Sequence, residues 1–286
     1  MAKTRVSVRR TAKLYVGGEF PRSESGRSYE VFAKDGSLLA RAARASRKDL
    51  RDAVKAARAA QPGWAGRTAF NRGQVLYRVA ELMEGRRAQF EAELADAGAK
   101  DPRRGVDASI DRWIWYAGWA DKIGQVLGGT NPVAGPYFNF TIPEPTGVVG
   151  IVAPPDRSLL GLVSQLAPAI VSGNTAIVLA SEPSPLPAVS LGEVLATSDV
   201  PGGAVNILTG LTAELVPWLA GHMDVNAIDV TGVPEDLLVE VERLSAENVK
   251  RVVRARGGDP FSDEAQSPYD VTALMEFKTV WHPMGA

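Results

Sequence analysis

Cysteine is absent from all 286 residues. Disulfides, thiolate metal sites and thiol nucleophiles are excluded together. Histidine is almost absent: only His222 and His282 occur, too few for a His-rich metal cluster, and each reads as a surface or interface residue. Neither sign of charge is in excess, because 32 Lys and Arg face 33 Asp and Glu for a net charge of -1. No global field therefore favours nucleic acid or an anionic membrane. Long hydrophobic runs are missing too. Nothing approaches the ~18 apolar residues of a membrane helix, and the N-terminus has no apolar signal-peptide core. The expectation is a cytoplasmic protein that binds neither nucleic acid nor membrane. One local imbalance exists at residues 1–13, where Lys3, Arg5, Arg9, Arg10 and Lys13 occur without an acid. A solvated terminal arm is the plain reading, and a polyanion contact is the alternative.

What is present suits a folded chain. With 45% hydrophobic residues, it can bury one large core or two moderate ones. Residues 14–42 hold short apolar runs separated by Gly17-Gly18 and Lys34-Asp35-Gly36, which predict one or two small hairpins. Ser46 followed by Asp49 predicts a capped helix start, with Leu50, Ala53, Val54 and Ala57 on one face and Pro62-Gly63 at its end. A second helix from about Thr68 aligns Val75, Leu76, Val79, Leu82 and Met83, and a shorter one runs through Phe90 and Leu94. The aromatics Trp113, Trp115, Tyr116 and Trp119 fall at helical spacing and read as core or interface. Tyr137 to Ile142 alternates as a strand that Pro143 and Pro145 should stop.

From residue 147 the pattern changes to strand and helix in turn. Strand-like runs start at Val148, Ala176, Val205, Ala227 and Val249, with helical segments between them. That rhythm means βαβ units, so the fold class is α/β with a Rossmann-like, doubly wound parallel sheet over residues 147–258. Residues 259–270 read as a Gly/Asp/Ser/Pro linker. The tail Leu274–Trp281 then alternates as a strand with no neighbour in sequence, so it must pair with something distant or with another chain.

Several segments together resemble the aldehyde dehydrogenase family. They are Leu14–Phe20, Gly147-Val148-Val149-Gly150-Ile151-Val152-Ala153-Pro154, Gly173-Asn174-Thr175, Ser181-Glu182, Pro201-Gly202-Gly203-Ala204-Val205-Asn206, Thr231-Gly232, Lys250 to Gly258, and the tail Glu276–Trp281. The resemblance implies N-terminal hairpins and helices over 1–136, and β-ribbon oligomerisation strands at 137–146 and 271–286. The departures are as informative as the matches. The family's oxyanion-stabilising asparagine corresponds to Asp156, a carboxylate that would repel developing negative charge. Its general-base glutamate corresponds to Ala255, which cannot abstract a proton. Its ribose-contacting lysine corresponds to Leu179. The domain carrying the cysteine nucleophile is replaced by the 259–270 linker.

The resemblance thus implies a pseudoenzyme with no catalytic residues of its own. No cofactor is expected. The alternative is weak NAD or NADP binding, for which Glu182 at a strand end would be a vestigial ribose ligand. Against it, Thr231-Gly232-Val233-Pro234 puts a β-branched residue and a proline where amides should meet phosphates. Asp156, Glu182, Asp229 and Asp259 lie near predicted strand ends, so altered oxidoreductase chemistry is a further alternative. In the family the C-terminal strand belongs to a hairpin that crosses to a neighbouring subunit. The expected partner is a full-length aldehyde dehydrogenase subunit or a second copy of this chain. Phe138, Phe140, Ile142, Phe277, Val280 and Trp281 are the expected interface residues.

Overall fold

The computed structural model describes residues 11–254 and 256–285. An N-terminal sheet comes first. It is built from β1 (Thr11–Ala12), β2 (Ser28–Phe32) and β3 (Leu38–Ala43) in the order β1-β3-β2, with β2 and β3 as the expected hairpin. Leu14-Tyr15-Val16 does something different from a hairpin. Tyr15 N donates to Ile207 O at 2.9 Å and Tyr15 O accepts from Ile207 N at 2.7 Å, so this segment covers an edge of the main sheet.

Helices α1 (Arg47–Ala65), α2 (Ala69–Gly85), α3 (Arg87–Asp96), α4 (Pro102–Ala117) and α5 (Ile123–Leu127) follow. The capping box at α1 forms in both directions, because the Ser46 side chain accepts from Asp49 N while Ser46 N donates to Asp49 Oδ2 at 2.7 Å. Pro62-Gly63 does not end α1, contrary to the sequence reading; the helix runs on to Ala65. A proline in the last turn removes one amide only. Trp64, 1% exposed, anchors that extra turn by donating from Nε1 to Ile170 O at 2.9 Å. In α4, Ser109, Arg112, Trp113 and Tyr116 are buried on one face, so Trp113 and Tyr116 are core, while Trp115 and Trp119 are half-buried.

The main sheet holds β6 (Val148–Val152), β7 (Thr175–Leu179), β8 (Val205–Leu208), β9 (Ala227–Asp229) and β10 (Arg251–Val253). All pairings are parallel, in the order β10-β9-β6-β7-β8. Connecting helices α6 (Leu160–Val171), α7 (Leu186–Leu195), α8 (Thr212–Ala220) and α9 (Glu235–Ala246) wind over both faces. One apolar cluster joins α6 and α7 to α2, α3 and α4; the other joins α8 and α9 to α1. Leu219 of α8 lies so close to the sheet that a Cβ on Gly150 would sit 3.0 Å from its side chain. This is the doubly wound α/β architecture that the strand–helix rhythm predicts.

A third sheet, antiparallel, lies apart, in the order β11-β5-β4, from β4 (Gly129–Thr130), β5 (Tyr137–Pro145) and β11 (Met275–Pro283). Sequence alternation misses β4, which is two residues long. It also stops β5 too early, since the strand passes through Pro143 to Pro145. The reason is the direction of the odd-numbered backbone groups. Asn139 O accepts from Asn131 N, on the β4 side, whereas Thr146 N donates to Leu274 O, on the tail side. Pro143 and Pro145 therefore direct their missing N–H groups at the edge beyond the end of β4, where no ladder bond is lost. The 259–270 segment carries a 3₁₀ turn at Asp263–Ala265 and the start of α10 (Pro268–Thr272).

Candidate functional site

The loops leaving the C-terminal ends of β6, β7, β8, β9 and β10 form one edge of the molecule, the edge where open α/β sheets take ligands. Glu182, just past β7, is half-buried, and its Oε2 accepts from Thr212 N at 2.8 Å, the first residue of α8. The carboxylate read as a ribose ligand thus caps a helix of its own chain. Beside it lies a cavity of about 460 Å³ lined by Tyr29, Ala153, Glu182, Thr212, Gly232 and Pro234 among others. The hydroxyl of Tyr29 is buried, and its pKa is raised by burial and then by the charge of Glu182, partly offset by a backbone hydrogen bond with Gly210. Gly232 crosses the β6 loop so tightly that a Cβ there would lie 2.4 Å from the Ala153 carbonyl carbon. Pro234 has no N–H at the entrance to α9. Leu179 is 2% exposed and packs in the core beside Val152 and Leu208.

The four strand-end carboxylates do not converge. Asp156 is exposed beside Arg157, with Oδ2 at 3.2 Å from its Nε, on the wall of a cavity of about 390 Å³ that also takes Lys100 and Arg104. Asp259 is exposed and accepts from Phe261 N at 3.0 Å. Asp229 is buried, and its Oδ1 accepts from Gln165 Nε2 at 2.8 Å, Thr231 N at 2.9 Å and Thr231 Oγ1 at 2.6 Å. Burial raises its pKa, partly offset by those donors. Ala255 lies outside the described residues, as do Lys3, Arg5, Arg9 and Arg10 of the basic arm. Among the described residues no three His, Cys, Asp or Glu side chains gather as metal ligands. His222 Nδ1 accepts from Asp224 N at 3.2 Å, and His282 lies in β11.

Sequence reasoning passed over Arg112. It is 3% exposed and donates from Nη1 to Ser164 Oγ at 2.6 Å and Ala265 O at 3.2 Å, and from Nη2 to Pro260 O at 3.0 Å. Close by, Arg256 grips Asp270 with two bonds of 2.8 and 2.9 Å, and Tyr116 donates to Asp270 Oδ2 at 2.9 Å. Arg112 and Tyr116 thus bind the 257–270 segment down onto α4, Arg112 also bonding α6, while Arg256 ties the start of the segment to its end. The signal was available: helical spacing sets Arg112 on the same face as Ser109, Trp113 and Tyr116, an unusual place for a cation.

The ribbon is the other candidate site. β11 pairs with β5 of the same chain over its whole length, from Met275 opposite Pro145 to Pro283 opposite Tyr137. Residues opposite each other share a face, which divides the expected interface set. Phe138, Phe140, Ile142 and Val280 lie on one face, with Lys278 and His282. Phe277 and Trp281 lie on the other, with Tyr137. Trp281 and Tyr137 meet edge-on at 5.8 Å, and Phe138 stacks at a tilt on Phe140 at 5.4 Å. Phe138 (46%), Ile142 (44%), Phe277 (44%), Val280 (39%) and Trp281 (58%) are exposed, and Phe140 is half-buried. Lys278 pairs with Glu144 across the ladder. The base of the ribbon is fixed to the main sheet by Arg251 of β10, which donates to Ala273 O, Met275 O and Glu276 Oε1. Asn174, fully buried, joins Gly147 N, Ser172 Oγ and Leu274 O.

A doubly wound parallel sheet with cavities at its C-terminal edge defines a nucleotide-binding-like α/β protein. The sequence profile of the aldehyde dehydrogenase family matches residues 20–261, and the chain belongs to that family. Cytosolic 10-formyltetrahydrofolate dehydrogenase of Pongo abelii is 34% identical over 273 residues, covering 90% of this chain and 30% of that protein. Retinal dehydrogenase 2 of Homo sapiens is 34% identical over 254 residues, covering 86% and 48%. The structure of an aldehyde dehydrogenase from Bacillus cereus in complex with NAD+ superposes with a TM-score of 0.79 at 28% identity, covering 87% of this chain and 51% of that one. The chain spans about half or less of the length of these proteins, 30%, 48% and 51% in turn. Among the described residues no helix is long and apolar enough to cross a membrane.

Proposed function

We propose that this chain is a catalytically inactive aldehyde dehydrogenase-like subunit, a structural or regulatory partner that attaches to a full-length aldehyde dehydrogenase through its C-terminal ribbon. The observation that carries the reading is the lack of any cysteine in 286 residues, in a family whose chemistry runs through a cysteine thiolate. The carboxylate of Asp156 adds to it, as does the short 257–270 segment where a domain would stand. The ribbon supports the partnership, since both of its faces expose large apolar side chains. The test has two arms. The purified chain should not reduce NAD+ or NADP+ with acetaldehyde or propionaldehyde above a no-enzyme control. Native mass spectrometry of the complex isolated from its source should show it bound to a full-length aldehyde dehydrogenase, with a second copy of itself as the alternative partner. Turnover that persists after contaminating dehydrogenases are removed overturns the first arm, and a lone monomer overturns the second.

A second reading, a nicotinamide-dinucleotide-binding module, is favoured by the cavity beside Glu182 and by the NAD+ complex of the Bacillus cereus relative. Against tight binding stand Leu179, which offers no donor, Pro234 at the entrance to α9, and Glu182, already engaged with α8. Calorimetry with NAD+ should give millimolar affinity or none; a micromolar constant would favour this second reading.

A further inference from the structure

We infer that the groove over α8 holds an amphipathic helix of a partner protein, whose apolar stripe is bordered by carboxylates on one side and by cations on the other. Helices α1, α8 and α9 share one apolar cluster on the main sheet, and α8 packs between the other two. Packed helices lie roughly 8–10 Å apart, so α1 and α9 stand about 16–20 Å from each other. A further helix, roughly 10–12 Å across, fits between them above α8. The groove there encloses about 590 Å³. Its floor is the last turn of α8 and the loop that follows. Trp218 is 45% exposed and Met223 65% exposed on that floor, two large apolar side chains left uncovered by the described residues. Arg47 of α1 stacks its guanidinium on the Trp218 ring at 3.8 Å, which holds the indole in place.

The two walls carry opposite charge. On one side α1 presents Arg47 and Arg51, one turn apart; on the other α9 presents Glu240, Leu244 and Glu247 along one helical face. All four charged side chains are exposed. Arg51 reaches only Asp52, at 3.9 Å, and Glu247 only Arg243, at 3.5 Å, each a neighbour on its own wall. Among the described residues no carboxylate pairs with Arg47, no cation pairs with Glu240, and no ion pair crosses the groove. The sign that each flank of an occupant must bring is thereby fixed. The acidic wall disfavours a phosphate-bearing ligand, and a purely acidic or purely basic helix meets one wall of like sign. A helix with an apolar stripe and mixed flanks satisfies floor and walls together, with Trp218 and Arg47 as the residue types that anchor such contacts. Turning a helix end for end exchanges its flanks, so the acidic flank also sets the direction in which the occupant lies.

Fluorescence anisotropy with labelled synthetic helices of about 15 residues, roughly four turns, provides the test. All carry a leucine stripe. One has glutamates on one flank and lysines on the other, one has glutamates on both, and one has lysines on both. The mixed peptide should bind the full chain about 10-fold more tightly than either of the others. Arg47→Glu with Arg51→Glu should transfer the preference to the all-lysine peptide, and Glu240→Lys with Glu247→Lys to the all-glutamate one. Trp218→Ala should weaken every peptide by at least about 10-fold while circular dichroism stays native. Equal binding of the three peptides, a preference that the wall variants leave unchanged, or no anisotropy change at about 100 μM protein overturns the proposal. Self-association of the chain that Trp218→Ala abolishes also overturns it, because the occupant is then a second copy. These variants leave the ribbon untouched, so a failed peptide assay leaves the subunit reading standing, and a lone monomer leaves the groove standing.

Discussion

Asn174 offers a severe test of how the ribbon is held. Its side chain is fully buried and makes a bond with each polar atom it has to offer: Oδ1 accepts from Gly147 N at 2.7 Å, and Nδ2 donates to Ser172 Oγ at 2.8 Å and to Leu274 O at 2.9 Å. Asn174→Ala removes all three at once. Ser172 Oγ keeps Ala169 O at 2.8 Å and loses little. Leu274 O keeps its bond from Thr146 N at 3.2 Å, but Gly147 N is left in a dry interior with nothing to pair with among the described residues, at about 1–3 kcal/mol. The hole left by the amide adds a smaller amount, so a total of about 2–3 kcal/mol is expected, a large share of a typical domain's 5–15 kcal/mol. Urea unfolding followed by far-ultraviolet circular dichroism and by tryptophan fluorescence would measure it. Hydrogen exchange should quicken first in residues 274–283, because Leu274 is where the tail meets the sheet. A loss below 1 kcal/mol, or unchanged protection of β11, would refute the assignment of Asn174 as the ribbon's buried anchor.

Three further outcomes are expected. Glu182→Ala should cost about 1 kcal/mol by uncapping α8, while leaving any NAD+ affinity unchanged; a loss of nucleotide binding without a loss of stability would mean the carboxylate serves a ligand instead. Lys250 is buried among His222 O, Val225 O and Asn248 Oδ1, and burial lowers its pKa from 10.5 to about 8. Between those two values the unfolded chain binds more protons than the folded one, so thermal stability should gain a component that rises from pH 8 towards 10.5. Lys250→Met should lack it, and identical slopes in the two proteins would count against the burial argument. Phe138→Ser and Trp281→Ser alter opposite faces of the ribbon, and sedimentation velocity of each should show which face carries the proposed assembly; undiminished assembly in both would place the contact elsewhere.

The parts of this molecule that were legible in its sequence are those set by local periodicity. Strand and helix alternate from Val148 onward because each must bury one face against the other, and the capping box at Ser46 and Asp49 announces α1. Single prolines misled the reading of two ends, at Pro62 and at Pro143, because what a proline costs depends on whether its amide position has a partner, and that is a tertiary fact. The pairing of β11 with β5 was partly foreseeable from the lack of any nearer neighbour, but its register was not. For Arg112 the spacing showed the face but not the partners. A cation among aromatics reads as an exposed position until the segment that covers it, 148 to 153 residues further on, is seen to fold back.

The register of the ribbon also sets a schedule. Thr141 and Thr279 bond to each other across 138 residues of chain. At 5–20 residues per second of synthesis, β5 waits about 7–28 s for the strand that completes it. During that interval the side chains of Phe138, Phe140 and Ile142 sit on a strand whose only partner among the described residues is the two-residue β4. The main sheet, finished at β10, can fold meanwhile, and Arg251 and Asn174 are in place before Leu274 arrives to meet them. The completed ribbon is therefore the last surface to come into existence, and the partner proposed to dock there would meet a subunit whose core is already closed.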